Sequence, residues 1–220
     1  MIDTKNQEEL FILIGNTLKK HAECYAIGGT AMLFFGAKDN TKDIDLVFLD
    51  EENRDSFIAA CKELDYSEMS SFEVYGGKKN KPIMLTKGNE RFDLFIREVV
   101  NFTLSDTMIK RFEERHDFGK NLAVNIANHN DIVILKCATD RKGDKVDIMR
   151  IYDKFGIDWN LVYEECLNQE KIGRKRAVID LYETMVELDE EYKLKIPIEI
   201  FNKVEDKIEE KLKKYADKNI

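Results

Sequence analysis

Two segments decide the fold that this sequence predicts: Ala26-Ile-Gly-Gly-Thr-Ala31 and Thr41-Lys-Asp-Ile-Asp-Leu46. The first ends an apolar run and passes through two glycines into a short helix. In the second, acidic and apolar residues alternate as in a half-buried strand, so Asp43 and Asp45 project from one face. Two carboxylates on one face repel each other, and a hard divalent cation such as Mg²⁺ offsets that repulsion. A solvated strand face is the alternative for this pair.

The glycine turn is the second element of the pattern. Gly28 and Gly29 let the backbone approach a ligand closely, and the N–H groups that start the following helix favour phosphate oxygens. Turns of this kind also occur without a ligand, so the glycines alone do not fix a function.

A later strand, Arg91-Phe-Asp-Leu-Phe95, adds a third acid. Asp93 lies between apolar residues, and a buried carboxylate needs a partner. If this strand lies beside the first, Asp93 completes a cluster of three carboxylates. Such a cluster can hold two Mg²⁺ ions and support in-line phosphoryl displacement. A salt bridge from Asp93 to Arg91 or Arg97 is the alternative.

The whole chain predicts a mixed α+β fold. Strands alternate with helices up to about residue 160, whereas the rest carries only amphipathic helical periodicity. We therefore predict a mixed β-sheet flanked by helices over residues 1–160 and a helical subdomain over residues 161–220. Asp131 is the predicted N-cap of a helix over Ile132–Ala138, and Asp140–Asp144 is a predicted turn.

Composition excludes several classes of protein. The 43 acidic and 35 basic residues give a net charge of −8, which argues against a basic face for duplex nucleic acid but leaves local contact with RNA open. No apolar run approaches the ~18 residues of a membrane helix, and the polar N-terminus carries no secretory signal. The cysteines form no CxxC pair, which predicts reduced, buried thiols in a cytoplasmic protein: Cys24, Cys61, Cys137 and Cys166.

Taken together, the apolar-Gly-Gly turn, thirteen intervening residues, the Asp-apolar-Asp strand and the later apolar-Asp-apolar strand resemble the nucleotidyltransferase superfamily that includes DNA polymerase beta. The resemblance covers residues 24–97 and implies a nucleotidyltransferase-like fold that binds a nucleoside triphosphate and two Mg²⁺ ions. It implies that the catalytic metal ligands are Asp43, Asp45 and Asp93, and that the nucleotide is bound by Gly28, Gly29, Thr30 and Thr41.

A downstream segment extends the resemblance. Residues 131–147 are similar to the segment of AbiEii-type nucleotidyltransferases that has Leu-Lys on a helix and then Arg and Lys-Asp. That family includes toxins of type IV toxin–antitoxin systems. This implies that Lys136 contacts phosphate or serves catalysis, that Asp144 helps shape the nucleotide site, and that a cognate toxin or antitoxin is a partner. A snorkelling lysine or a structural pair with Asp140 is the alternative for Lys136, and an ion-pair network is the alternative for the charges that follow it.

The sequence therefore predicts an enzyme that moves NMP from an NTP to an acceptor hydroxyl and releases pyrophosphate. A tRNA end, a protein or a small molecule is the expected acceptor. The alternative is a non-catalytic, antitoxin-like module that binds a nucleotide or a partner on the same fold. The presence of all three acids argues against a decayed site.

Overall fold

The computed structural model describes residues 1–112, 114–139 and 141–217. The chain forms two compact units, Met1–Asn128 and His129–Ile220. This division lies earlier in the chain than the predicted one after residue 160, because the helix that begins at His129 contacts the C-terminal helices. No helix in the described part combines the length and the apolar character needed to cross a bilayer.

The strands belong to the N-terminal unit. They are β1 (Ile2–Asp3), β2 (Ala22–Ala26), β3 (Asn40–Thr41), β4 (Ile44–Phe48), β5 (Ser67–Met69), β6 (Ile83–Lys87), β7 (Glu90–Ile96), β8 (Glu98–Val99), β9 (Phe102–Thr103), β10 (Glu114–Phe118) and β11 (Leu122–Ile126). Within the described residues, the main sheet has the order β10-β11-β2-β4-β7-β6-β5, with β8 paired to β7 and β9 to β8, while β1 pairs with β3. The pairs β11–β2 and β4–β7 are parallel, and the others are antiparallel.

The helices of this unit are α1 (Thr4–Thr17), α2 (Gly28–Phe34), α3 (Glu51–Glu63), α4 (Phe72–Tyr75) and α5 (Asp106–Lys110). Helices α1 and α3 contact each other and pack against strands of the sheet. The core beneath α3 is aromatic: the ring of Phe57 lies 5.5 Å from that of Phe48 and 5.6 Å from that of Phe92. All three rings are fully buried, and they fix the face of β4 and β7 that points into the core.

Helix α1 lies so close to the β10–β11 hairpin that Gly15 leaves no room for a side chain. A Cβ there would lie 2.0 Å from the carbonyl oxygen of Phe118. The hairpin turns at Gly119, whose φ of +58° suits glycine. The backbone N–H groups of Lys120 and Asn121 donate to the Gly15 carbonyl oxygen, which ties the turn to the helix.

The regular elements in the described part of the C-terminal unit are all helices. Its helices are α6 (His129–Cys137), α7 (Lys142–Phe155), α8 (Trp159–Lys171), α9 (Ala177–Glu190) and α10 (Ile198–Asp217). Helix α6 contacts α7, α8 and α9, and α10 packs on α8 and α9. Their core consists of fully buried side chains that keep helical spacing, among them Val162, Cys166, Leu181, Met185 and Val204.

Two local expectations in this unit need correction. Asp131 is not an N-cap, because α6 already begins at His129 and Asp131 is a buried residue of its first turn. The predicted turn over 140–144 is shorter than expected, because α7 begins at Lys142. Asp140 lies outside the described residues.

The predicted fold class is confirmed, since a mixed sheet flanked by helices is followed by a helical unit. All four cysteines are free and buried, as their apolar sequence context predicts. Burial raises the pKa of Cys137 to about 12, which makes this thiol a poor nucleophile.

Candidate functional site

The pairing of β4 with β7 brings two of the predicted acids together. Their parallel register places Asp45 directly opposite Asp93, with Leu46 opposite Leu94 at the next position. Residues paired directly across neighbouring strands project from the same face of the sheet. Two carboxylates from distant parts of the sequence therefore share one face, as the sequence predicts for neighbouring strands.

Asp93 is fully buried, with 0% of its surface exposed. Its Oδ1 lies 3.0 Å from Nε of Arg91, and its Oδ2 accepts a hydrogen bond of 2.6 Å from the Tyr75 hydroxyl. An ionised carboxylate is stable away from water only with a counter-charge and hydrogen bonds. Arg91 supplies the charge, and Tyr75, from the short helix α4, supplies a hydrogen bond.

Asp43 joins this group through the same arginine. It directly precedes β4, and its Oδ2 accepts a hydrogen bond from Nη2 of Arg91, which also lies 3.4 Å from Oδ2 of Asp93. One guanidinium thus spans two of the three predicted acids. The salt bridge considered for Asp93 therefore forms with Arg91, whereas Arg97 pairs with Asp106 at 3.2 Å.

The glycine turn lies against the third acid, Asp45. The N–H of Ile27 donates to the carbonyl oxygen of Asp45 at 3.2 Å, which holds the turn next to β4. Gly28 has a φ of +55°, and a Cβ built on it would lie 2.9 Å from Oδ2 of Asp45. The positive φ favours glycine, and any larger residue would push the Asp45 carboxylate aside, so the turn and this carboxylate fit closely together.

Gly29 and Thr41 meet on the other side of the turn. A Cβ on Gly29 would lie 2.5 Å from Oγ1 of Thr41 and 3.7 Å from Nζ of Lys38. Thr41, in β3, is almost fully buried. The predicted nucleotide-binding residues Gly28, Gly29 and Thr41 are therefore neighbours in the structure, and a lysine lies beside them.

Thr30 is placed to orient Asp45. Its side chain is fully buried, and its Oγ1 accepts a hydrogen bond of 2.8 Å from the backbone N–H of Asp45. Its carbonyl oxygen accepts a bond of 3.3 Å from the buried Gln7 side chain. Contact between Thr30 and a nucleotide stays a prediction.

Lys136 lies in the C-terminal unit, within a buried group of charges. Its Nζ is 2.9 Å from Oδ1 of Asp144 and 2.7 Å from Oδ2 of Asp147. Lys136 and both aspartates are each less than 10% exposed. These contacts form the ion-pair network considered as the alternative for this segment, while a nucleotide role for Lys136 and Asp144 stays a prediction.

Asp144 has several partners in this network. Nε of Arg141 lies 2.8 Å from its Oδ2, and the Thr139 hydroxyl donates to the same oxygen. Burial by itself raises the pKa of the Asp144 carboxyl, but the ammonium of Lys136 and these hydrogen bonds outweigh burial and lower the pKa to about 2. Asp144 is therefore charged throughout the neutral range.

The donor chemistry of the N-terminal site suits a hard divalent cation. Asp45 and Asp93 offer carboxylate oxygens on one face, the ligand type that Mg²⁺ prefers. The oxygens of Asp43 and Asp93 are turned towards the Arg91 guanidinium rather than towards a common centre. Among the described residues, no group of three or more His, Cys, Asp or Glu side chains is arranged to hold a metal ion.

A surface cavity of about 370 Å³ lies elsewhere in the same unit, beside α1. Its lining includes Met1, Leu10, Leu13 and Glu90, but none of the three predicted acids. We place the candidate site at the acids because the charges, the strand register and the glycine turn converge there.

The chain has a structural likeness to a solved protein. No protein-family model matches the chain, and no curated protein matches it. Among solved structures, the chain is similar to a crystal structure of ANT(2″)-Ia in complex with adenylyl-2″-tobramycin, at 12% sequence identity and a TM-score of 0.46, over 83% of this chain and 98% of that chain. At this level of similarity, the function has to be argued from the site itself.

Proposed function

We propose that this protein transfers a nucleoside monophosphate from an NTP to an acceptor hydroxyl, with pyrophosphate as the leaving group, in a reaction that requires Mg²⁺. The observation that carries the proposal is the opposed pair Asp45 and Asp93 with the Gly28 turn fitted against Asp45. Bringing like charges together on one face is unfavourable, and proteins keep such arrangements mainly where they bind cations or do chemistry.

In this proposal the metal ligands are Asp43, Asp45 and Asp93. A divalent cation at these oxygens neutralises phosphate charge and lowers the pKa of an acceptor hydroxyl; two such ions are expected by resemblance to the superfamily. Thr30 and the neighbouring strand keep the Asp45 backbone in place. Because Gly28 lacks a side chain, Asp45 lies close to the backbone of the turn, so a triphosphate bound at that carboxylate would also lie beside this backbone.

The roles predicted for Thr41, Lys136 and Asp144 belong to the same proposal. Lys136 already has two carboxylate partners, so a phosphate would compete with them for its ammonium or bind its third N–H donor. Removal of its ammonium would take one counter-charge away from two buried acids and would also destabilise the C-terminal unit. A variant at Lys136 therefore tests a nucleotide role only where its fold is shown to be intact.

The proposal also concerns the acceptor of the nucleotide and a protein partner. A tRNA end, a protein and a small molecule are the three acceptors considered, and the net charge of −8 disfavours tight binding of a polyanion. Membership of the AbiEii-type branch would add a cognate toxin or antitoxin. Co-purification of a second protein in a fixed ratio would support such a partner.

The direct test is transfer of label from each of the four NTPs, labelled at the α-phosphate, in the presence of Mg²⁺. Total tRNA, a protein extract and a panel of small polyhydroxylated molecules serve as separate acceptor pools, and released pyrophosphate is measured in parallel. We expect label in one pool and at least a 100-fold loss of transfer in Asp45→Asn. Asp117→Asn, on the exposed edge strand β10, is the matched control and should keep full activity.

Two results would contradict the proposal. One is unchanged transfer by Asp45→Asn when its thermal unfolding matches that of the wild type. The other is the absence of label and of pyrophosphate with every combination of nucleotide and acceptor pool.

One observation favours a second candidate function, the non-catalytic binding module. Arg91 already provides a positive charge to Asp43 and Asp93, so these acids are stable without a metal ion. Titration calorimetry with Mg-ATP and Mg-GTP, beside the pyrophosphate assay, separates the two candidates. Binding of either nucleotide without turnover would support the module, and turnover would exclude it.

A further inference from the structure

We infer that Arg91 is an internal counter-ion of the carboxylate site, and that a divalent cation has to displace its guanidinium before Asp43 and Asp93 can bind the cation. The inference rests on the proposed function, because it concerns the metal that this function requires. It adds a residue that limits how readily the site takes up that metal.

The contacts place the guanidinium where a bound cation would have to act. Nε of Arg91 faces Oδ1 of Asp93 at 3.0 Å, and Nη2 bonds to Oδ2 of Asp43. A guanidinium is planar and has several N–H donors, so it can hold two carboxylates at once, which a single ammonium does less well. Arg91 thereby does for two acids what a bridging metal ion does.

The guanidinium and a divalent cation cannot occupy this site together. A divalent cation and a guanidinium that share the same oxygens repel each other over a few ångströms in a partly buried site. Metal binding at Asp43 and Asp93 must therefore displace Arg91. Conversely, without metal, loss of Arg91 would leave the fully buried carboxylate of Asp93 without its counter-charge.

The surroundings allow the displacement. The Arg91 side chain is 23% exposed and that of Asp43 is 24% exposed, so both side chains border solvent. Tyr75, which donates to the other oxygen of Asp93, can hold that carboxylate while Arg91 moves. A guanidinium released from carboxylates pairs equally well with phosphate oxygens, so a metal–nucleotide complex brings both the replacement cation and a new partner for Arg91. Metal and nucleotide should therefore bind more tightly together than apart.

The test measures Mn²⁺ binding directly, by the loss of the electron paramagnetic resonance signal of free Mn²⁺. We compare the wild type with Arg91→Met, which removes the charge, and with Arg91→Lys, which keeps the charge but loses the planar set of N–H donors. Arg115→Met is the control, because Arg115 is half exposed and pairs with Asp117 on the edge strand. Melting temperatures are recorded for each protein with and without Mn²⁺.

We expect Arg91→Met to lower the Kd for Mn²⁺ at least tenfold, Arg91→Lys to lower it less, and Arg115→Met to leave it within twofold of the wild type. Without Mn²⁺, Arg91→Met should melt at a lower temperature than the wild type. Added Mn²⁺ should raise the melting temperature of Arg91→Met by more than it raises that of the wild type. If Arg91→Met does not fold, a lower Kd in Arg91→Lys still supports the inference. An equal or higher Kd in the folded Arg91 variants would overturn it, because Arg91 would then have only a structural role.

Failure of the inference differs from failure of the proposed function. Equal Mn²⁺ affinity in the wild type and the Arg91 variants, together with NMP transfer, overturns the inference alone. A lower Kd in the variants without any transfer by the wild type supports the inference and overturns the proposed function. If no protein binds Mn²⁺, with or without ATP, both are overturned.

Discussion

The fit of Gly28 against Asp45 gives the sharpest prediction, because the chain contains a matched control. Gly28 and Gly88 both have a positive φ, of +55° and +59°. A Cβ on Gly28 would lie 2.9 Å from Oδ2 of Asp45, whereas a Cβ on Gly88 has nothing within 4 Å. Comparison of Gly28→Ala with Gly88→Ala therefore separates the effect of the carboxylate contact from that of backbone strain.

The magnitudes follow from these geometries. A left-handed conformation costs an L-residue about 1–2 kcal/mol, so both variants should lose about that much unfolding free energy. In Gly28→Ala the Asp45 carboxylate must also move by about 0.5 Å to reach an ordinary contact distance. Because a misplacement of ~1 Å can lower a reaction rate ~100-fold, this shift should lower the rate about tenfold. We expect kcat/KM for NMP transfer to fall about tenfold in Gly28→Ala and to stay near the wild-type value in Gly88→Ala.

The assays are urea unfolding followed by circular dichroism, and NMP transfer to the acceptor found with the wild type. Equal loss of stability with unequal loss of activity is the expected pattern. The reasoning is refuted if the two variants lose activity equally, or if Gly28→Ala keeps the wild-type kcat/KM. In either case the contact between the turn and Asp45 would not position the carboxylate for catalysis.

The other two predictions concern buried groups. Because the pKa of Asp144 is lowered from 3.8 to about 2, its ionisation stabilises the fold above about pH 4, and this stability is lost as the pH falls through 2. Asp144→Asn should remove roughly 2 kcal/mol of pH-dependent stability between those values, measured by urea unfolding along a pH series, and an unchanged pH profile would contradict it. The four thiols should react with a thiol-specific chromogenic reagent at least 100-fold more slowly in the native protein than in denaturant, because burial raises their pKa values. Fast reaction in the native protein would refute this. The thiols are those of Cys24, Cys61, Cys137 and Cys166.

The strand that carries Asp45 was predictable because it has both apolar periodicity and strong β-formers. The edge strand β10 was not, because Glu114–Phe118 is polar along most of its length and is identified only by its pairing with β11. An edge strand with one solvent-facing side needs few apolar residues, so its sequence resembles a loop. The same limit applies to α4, whose four residues are too few to show a helical period.

The candidate site was predictable as a set of acids but not as an arrangement. Spacing identified Asp43, Asp45 and Asp93, and the register that sets Asp45 opposite Asp93 is known only from the sheet. Tyr75 was missed because nothing in its local sequence indicates that its hydroxyl reaches Asp93. Long-range pairing of this kind depends on the whole fold rather than on any local pattern.

The position of Arg91 follows from the same strand geometry that places the acids. Side chains two residues apart on a strand share a face, so a strand that presents Asp93 to the site also presents Arg91 to it. The register with β4 then places that arginine beside Asp43. Acids and arginine therefore form one electrostatic unit, in which removal of any member changes the charge felt by the others. A substitution at Asp43 therefore changes metal affinity in two ways, because it removes a metal ligand and also releases Arg91 from one of its partners. Only a double-mutant cycle between the two residues separates these two effects.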